Sequence, residues 1–319
     1  MREIGGYLGF ERYSSSRLHE GAVALNCGRN ALAYLIRARG IRHIYLPQFL
    51  CETVGEVCWR AQISVTYYPI TEDFLPAALT LADGAWLYVV NYYGQIGNER
   101  LAALARKYGR VIVDNAQAYF QEPVAGVDTL YTCRKFFGVP DGAFLYTDAR
   151  LNEPLERDES FERMRHILGR FERSASEFYQ DSVANDRSLI GAPLKAMSRL
   201  TENLLRGIDY AAVKARRTRN FRVLHESLGA RNALRLNVPE GAFMYPFYVA
   251  DGARVRREMQ RRKIYVPTLW PNVLELPDSL ERRYAENILP LPCDQRYDEE
   301  DMRAILAVLE ELLDAREGC

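Results

Sequence analysis

Val111-Ile112-Val113-Asp114-Asn115-Ala116-Gln117-Ala118 joins a short apolar β-branched run to a carboxylate and two side-chain amides. Three consecutive β-branched residues read as a strand buried on both faces. A carboxylate at the end of such a strand is costly without a partner, although an Asp there also makes an ordinary helix N-cap. Outward from this point the chain keeps one rhythm. Upstream, Leu101 to Tyr108 has helical apolar spacing and stops at Gly109, and Ala85 to Asn91 is another buried strand. Earlier still come a strand over Ala22 to Asn26, a helix over Ala31 to Arg39 ending at Gly40, and a strand from His43 to Leu46. A helix from about Glu52 to Ala61 and a strand from Ser64 to Tyr68 follow. Downstream, Thr129 to Thr132 and Ala143 to Tyr146 complete the set. Strands alternating with helices predict βαβ units and an α/β fold with a mainly parallel sheet.

The texture changes after about residue 150. Residues 153–228 are rich in Arg, Glu, Leu and Ala and read as several helices, the longest from about Asp209 to Leu228. Beyond Gly229 a second α/β texture begins: a strand over Phe243 to Val249, a helix over Arg254 to Arg262, a short strand Ile264-Tyr265-Val266, and a closing amphipathic helix from Asp301 to Asp314. The expected organisation is a large α/β domain with a helical crossover over 1–235 and a small C-terminal α/β domain over 236–319.

Composition narrows the chemistry. The 319 residues carry 42 basic and 42 acidic side chains, so zero net charge offers no general attraction to nucleic acid or an anionic membrane. The longest apolar runs are too short to span a bilayer. The opening Met1-Arg2-Glu3-Ile4-Gly5-Gly6 has no apolar stretch of the signal-peptide kind, and a cytoplasmic protein is expected. Six cysteines (27, 51, 58, 133, 293 and 319) and four histidines (19, 43, 166 and 225) are dispersed without zinc-site spacing, so no metal is expected. Only five of the 42 basic residues are lysines: Lys107, Lys135, Lys195, Lys214 and Lys263. Chemistry that needs a neutral amine is restricted to these five, because guanidinium stays protonated.

In open parallel sheets, ligands bind beyond the carboxyl ends of the strands. Five strand-end or loop stretches carry suitable residues. Asn26-Cys27-Gly28-Arg29-Asn30 lies between a strand and a helix, where a glycine lets the backbone approach an anion. It has neither P-loop nor dinucleotide-fingerprint spacing. Asp114 to Gln117 is the second, and Thr132-Cys133-Arg134-Lys135-Phe136-Phe137-Gly138 the third. Lys107 and Lys263 fall at helix C-termini, and Lys195 and Lys214 in solvated-looking helical stretches. Lys135 alone follows a strand, beside Arg134 and two phenylalanines, where an apolar, cation-flanked setting favours the neutral amine. Asn91-Tyr92-Tyr93-Gly94 ends a strand with aromatics, and Tyr265 to Pro271 is either a cleft rim or a Pro-bounded loop.

A lysine, an acid and a phosphate cradle together are what pyridoxal phosphate needs. In type and order these blocks resemble the DegT/StrS-type aminotransferases acting on nucleotide-linked keto-sugars, enzymes of fold type I. The resemblance covers most of residues 20–140 and 240–315. It implies Lys135 as the Schiff-base lysine, Asp114 as partner of the pyridine nitrogen and Gln117 against the ring hydroxyl. Gly28, Arg29, Asn30 and Thr132 are implied around the phosphate, and Asn91 and Tyr93 at the cofactor. Gly252 to Pro271 and Asn287 to Pro292 are similar to the family's C-terminal pattern. Two residues depart from it: Arg29 and Thr132 stand where a small hydroxyl residue and a serine are usual. The start of the helix near Leu50-Cys51 also lacks the aromatic that often stacks on the ring.

The function implied is amino transfer from a donor such as glutamate to a keto-sugar, in polysaccharide biosynthesis, by a homodimer sharing its active sites. A PLP-binding homologue without turnover, serving as a regulator or scaffold, and another PLP-dependent sugar-modifying enzyme are the alternatives. A sugar dehydratase of this family carries histidine at the lysine position, against which Lys135 argues. No Gly-x-Gly-x-x-Gly supports an NAD enzyme.

Overall fold

A computed structural model describes residues 4–317; Met1, Arg2, Glu3 and the sixth cysteine, Cys319, lie outside the described residues. The elements run β1 (Val23–Leu25), α1 (Gly28–Arg39), β2 (His43–Pro47), α2 (Glu52–Arg60), β3 (Ser64–Tyr68), β4 (Trp86–Val90), α3 (Asn98–Tyr108), β5 (Val111–Asp114), β6 (Asp128–Thr132) and β7 (Ala143–Tyr146). Then come α4 (Arg165–Glu172), α5 (Tyr179–Ser188), α6 (Arg199–Arg206), α7 (Tyr210–Leu228), β8 (Tyr245–Tyr248), α8 (Gly252–Arg261), α9 (Leu280–Asn287), β9 (Ile288–Leu291) and α10 (Glu299–Glu317).

The central sheet has seven strands in the order β1-β7-β6-β5-β4-β2-β3. All pairings are parallel except those of β7, which runs antiparallel to both β6 and β1. This is the mainly parallel α/β sheet that the alternating pattern predicts. Helices end where the sequence punctuates them. Gly40 adopts φ 61° and turns its N–H back to the carbonyls of Ile36 and Arg37, closing α1. Gly109 closes α3 at φ 73°.

Register sets the site. Asp114 pairs with Val90 of β4 and with Leu130 of β6, so Thr132 projects further along the same end of the sheet. The guanidinium of Arg39 grips Asp128 through two bonds of 2.9 and 2.7 Å, tying the end of α1 to the start of β6. Ile44, Leu46, Leu87, Ile112 and Val113 fill the core of the sheet. Each such side chain contributes about 1.5–3 kcal/mol on burial.

A second core gathers around the antiparallel pair β8-β9, with Val255 and Met259 of α8 and Met302 and Leu309 of α10. The long helix α7 also supplies Phe221, Leu224 and Leu228 to it. Two local expectations are corrected. Ile264-Tyr265-Val266 is not a strand: Lys263 turns the chain at φ 62° just before it, and Pro267 lacks the N–H a ladder needs. The partner of β8 is Ile288–Leu291, where Pro290 sits opposite Pro246. Prolines are tolerated in a two-stranded ribbon because both strands are edges. Lys195 is not helical either; it precedes the isolated bridges of Ala196 and pairs with Glu156 at 3.0 Å. Among the described residues, no helix is long and apolar enough to cross a membrane.

Candidate active site

A cleft of about 200 Å³ opens at the carboxyl ends of β4, β5 and β6, against the N-terminal ends of α1 and α2. Gly28, Arg29, Asp114, Gln117, Thr132 and Lys135 all line it. A larger cavity of about 310 Å³ lies alongside and shares Gln117, but neither Asp114 nor Lys135 reaches it. Its Lys214 and Glu240 pair with each other, so the reactive groups belong to the smaller cleft.

Asp114 closes β5 and is 7% exposed. Its Oδ2 accepts from the Tyr88 hydroxyl and its Oδ1 from the Ala116 N–H, both at 2.8 Å. Burial pushes its carboxyl above the ordinary range, while the Lys135 cation, the Ala116 N–H and the Tyr88 hydroxyl pull it back. Lys135 keeps accessible surface because it lines the cleft, yet dense protein surrounds it. That burial pulls its ammonium below the ordinary lysine range. Asp114 and Cys51 oppose the shift, and Arg134 and Arg29 reinforce it. Its Nζ stands 5.6 Å from the centre of the Phe243 ring, an apolar wall from the segment that leads into β8. The two shifts have one cause. Dense packing around each group disfavours its charged form, and the charge of each offsets part of the other's shift.

Three polar groups of the cleft lack partners. Thr132 Oγ1 and the Nε atoms of Arg29 and Arg134 are buried without a hydrogen bond. Arg29 otherwise reaches Thr53 Oγ1 at 3.5 Å, and Arg134 pairs with Asp186. Cys27 gives α1 no side-chain cap, so the first turn of that helix offers unsatisfied N–H groups at the same place. Gly28 makes the approach possible: a Cβ there would stand 2.6 Å from the Thr132 methyl. Unpaired donors, two guanidinium groups and a helix N-terminus around one cleft suit an anion with several oxygens, such as a phosphate monoester. The acid–amine pair beside it suits the ring nitrogen and aldehyde of pyridoxal phosphate. These residues fit that cofactor.

Three expected contacts lie elsewhere. Asn30 does not line the cleft; its amide donates to Asn26 Oδ1 at 2.7 Å and to the Pro193 carbonyl at 2.8 Å. Asn91 bridges Asn115 at 3.0 Å, Gln121 at 2.8 Å and the Ile96 N–H at 2.9 Å, which consumes its side chain behind the strand ends. Tyr93 sits at φ 53° with its ring buried toward Phe74. Only its backbone serves the site, donating to Gln117 Oε1 at 2.8 Å. That bond leaves the amide nitrogen of Gln117 for a ligand.

Other lining residues were less visible in the sequence. Arg134 stood there only as the neighbour of Lys135, and Tyr88 as part of a buried strand. Trp270, from the stretch expected as a rim or loop, supplies the aromatic surface that the start of α2 lacks. It is held at φ 55° with its ring edge-on to Phe49, centroids 4.4 Å apart. Among the described residues, no group of three His, Cys, Asp or Glu side chains is placed to hold a metal ion.

No protein-family model matches the chain, and no curated protein matches its sequence. Solved structures do match its fold. One is PseC from Helicobacter pylori, an aminotransferase involved in the biosynthesis of pseudoaminic acid. Its TM-score is 0.65 at 12% identity, over 92% of this chain and 87% of that one. Another is ntda from Bacillus subtilis with bound cofactor PMP, at TM-score 0.64 and 13% identity over 91% and 73%. A third is a DegT DnrJ EryC1 StrS aminotransferase from Brucella abortus, at TM-score 0.59 and 16% identity over 92% and 86%. The chain therefore has the fold of these aminotransferases, the fold type I expected from its motifs.

Proposed function

We propose that the chain is a pyridoxal phosphate-dependent aminotransferase that passes the amino group of a donor such as glutamate to a nucleotide-linked keto-sugar. The observation that carries this reading is that Asp114 and Lys135 line one cleft, beside the unpaired donors of Thr132, Arg29 and Arg134. Its support is twofold: the residues suit the cofactor, and structures sharing this fold carry aminotransferase names.

Bound in the cleft, pyridoxal phosphate supplies an aldehyde to take up the donor's amine and an aromatic system to hold electron density from the broken C–H bond. The chain supplies the rest. Lys135 Nζ, its ammonium held below the ordinary lysine range, would anchor the cofactor and would accept and return a proton within the cleft. Asp114 holds a compensating charge for a protonated ring nitrogen, oriented by the Tyr88 hydroxyl and the Ala116 N–H. The amide of Gln117 orients a ring oxygen. Arg29, Arg134, Thr132 and the first turn of α1 hold the phosphate, the arginines supplying charge where a hydroxyl is usual. Trp270 forms one wall of the cleft.

On the same reading, residues 1–235 form the cofactor-binding unit and 236–319 a small unit that carries Phe243 and Trp270 to it. The protein works as a cytoplasmic homodimer with shared active sites, in polysaccharide biosynthesis. The test is spectroscopic. Glutamate added to cofactor-loaded protein bleaches the visible band and releases 2-oxoglutarate in equal amount; a band unchanged by any amino donor rules out transamination.

A further inference from the structure

Arg217, in the middle of α7, is 2% exposed, and no carboxylate pairs with it among the described residues. An unpaired guanidinium in the interior is expensive unless its N–H groups are satisfied. Burial pulls its pKa down to about 10, opposed by the more distant Asp294. Its hydrogen bonds explain why it stays. Nε donates to Gln295 Oε1 at 2.6 Å, one Nη to the carbonyls of Ala242 at 2.9 Å and Phe243 at 3.4 Å, and the other Nη to the Phe136 carbonyl at 3.1 Å. Gln295 donates to that same Phe136 carbonyl at 2.7 Å. The guanidinium also lies over the Phe136 ring, 4.5 Å from its centre.

These partners are not scattered. Phe136 follows Lys135 directly in the chain, and Phe243 carries the ring that faces Lys135 Nζ at 5.6 Å. One rigid fork on the crossover helix thus fixes both the backbone that carries the amine and the apolar wall opposite it. A lysine could not do this, because its ammonium has no planar set of donors to span two carbonyls.

We propose that Arg217 is a positioning residue for Lys135: by tying the Phe136 and Phe243 carbonyls together it holds the Phe243 ring against the amine and keeps that amine reactive. This rests on Lys135 being the reactive amine. The charged and titratable groups facing Lys135 are Asp114, Cys51, Arg134 and Arg29, and Arg217 hydrogen-bonds to none of them. Its influence therefore runs through packing.

The experiment uses the full chain without cofactor. Acetic anhydride labelling of Lys135 is followed across pH by peptide mass spectrometry, giving the midpoint at which the amine becomes reactive. In Arg217→Lys the Phe243 ring loosens, the amine becomes more fully hydrated, and the midpoint rises by roughly one pH unit toward an ordinary lysine. Phe243→Leu produces the same upward shift with Arg217 intact, and Gln295→Leu a smaller one. If Arg217→Lys lowers the melting temperature but leaves the midpoint in place, its role is merely structural and the proposal is overturned. Should Arg217→Lys fail to fold, Phe243→Leu and Gln295→Leu decide, and an unmoved midpoint in both overturns it equally. Because no cofactor is present, the result is separable from any failure of the chain to bind pyridoxal phosphate.

Discussion

Adding one carbon at Gly28 tests the proposed cradle at atomic scale. A Cβ built there stands 2.6 Å from the Thr132 methyl carbon, well inside van der Waals contact, with Leu130 next at 3.9 Å. Backbone strain is not involved, because Gly28 does not have a positive φ. Gly28→Ala must therefore push α1 away from β6, or push Thr132 off its rotamer. Overpacking of this kind costs about 1–3 kcal/mol. In a chain of this size that lowers the melting temperature by roughly 2–6 °C. The displacement also moves the first turn of α1 from Thr132 Oγ1, so affinity for pyridoxal phosphate falls roughly tenfold or more, each 1.4 kcal/mol being one decade. The second variant makes the argument specific. Thr132→Ser removes the obstructing methyl and keeps the hydroxyl, so Gly28→Ala/Thr132→Ser recovers most of both losses, a coupling of about 1–2 kcal/mol between touching residues. The assays are thermal unfolding and cofactor titration by absorbance on the four proteins of the cycle. A double mutant no better than Gly28→Ala refutes the steric reasoning. A Gly28→Ala protein with normal affinity refutes the cradle.

The remaining predictions follow from charge and burial. Asp114→Asn removes the larger of the two groups that oppose the depression of Lys135, so the pH at which Lys135 becomes reactive moves down; Arg134→Gln removes a neighbour that reinforces it and moves that pH up. Labelling of Lys135 against pH reads both, and shifts of the same sign would contradict the electrostatic account. Arg29→Ala and Arg134→Ala each weaken binding of inorganic phosphate and of the cofactor, measured by calorimetry at fixed salt, while leaving the binding of unphosphorylated pyridoxal unchanged. His19 is buried among Tyr119, Tyr131 and Phe144, and burial lowers its pKa from 6.5 to about 4, against the opposing Tyr119 carbonyl. The unfolded chain takes up this proton first, so stability is full above pH 6.5 and falls as pH drops toward 4, by about 3 kcal/mol in all. Urea unfolding against pH shows the decline, and His19→Gln flattens that part of it.

The parts of the site that could be read from sequence are those on strand ends. Asp114 follows the β-branched run Val111-Ile112-Val113 and Thr132 ends the short stretch Thr129 to Thr132, both legible as strands, and parallel strands bring their carboxyl ends together whatever the loops do. Lys135 stood out because the other lysines have routine settings, although Lys195 proved to lie just before the bridged Ala196 instead of in a helix. Adjacency misled at Asn30, Asn91 and Tyr93. Each neighbours a site residue in sequence, but a buried amide is recruited by the nearest unpaired backbone group, and Tyr93 is turned inward by its left-handed backbone. Trp270 could be read only as part of a cleft rim or a loop, and Phe243 only as the start of a strand. Their approach to Lys135 and to the cleft depends on how the crossover folds back, which no local pattern specifies. β8 was legible as a strand, but the prolines of β9 hid its partner for a related reason: the ladder exists only where two edge strands meet.

Borohydride reduction of the protein loaded with pyridoxal phosphate, followed by peptide mapping, tests the central claim most directly. The account predicts one phosphopyridoxyl adduct per chain, on Lys135 alone, and its loss together with the visible band in Lys135→Met. An adduct centred on Lys107, Lys195, Lys214 or Lys263, or no adduct at saturating cofactor, would contradict it.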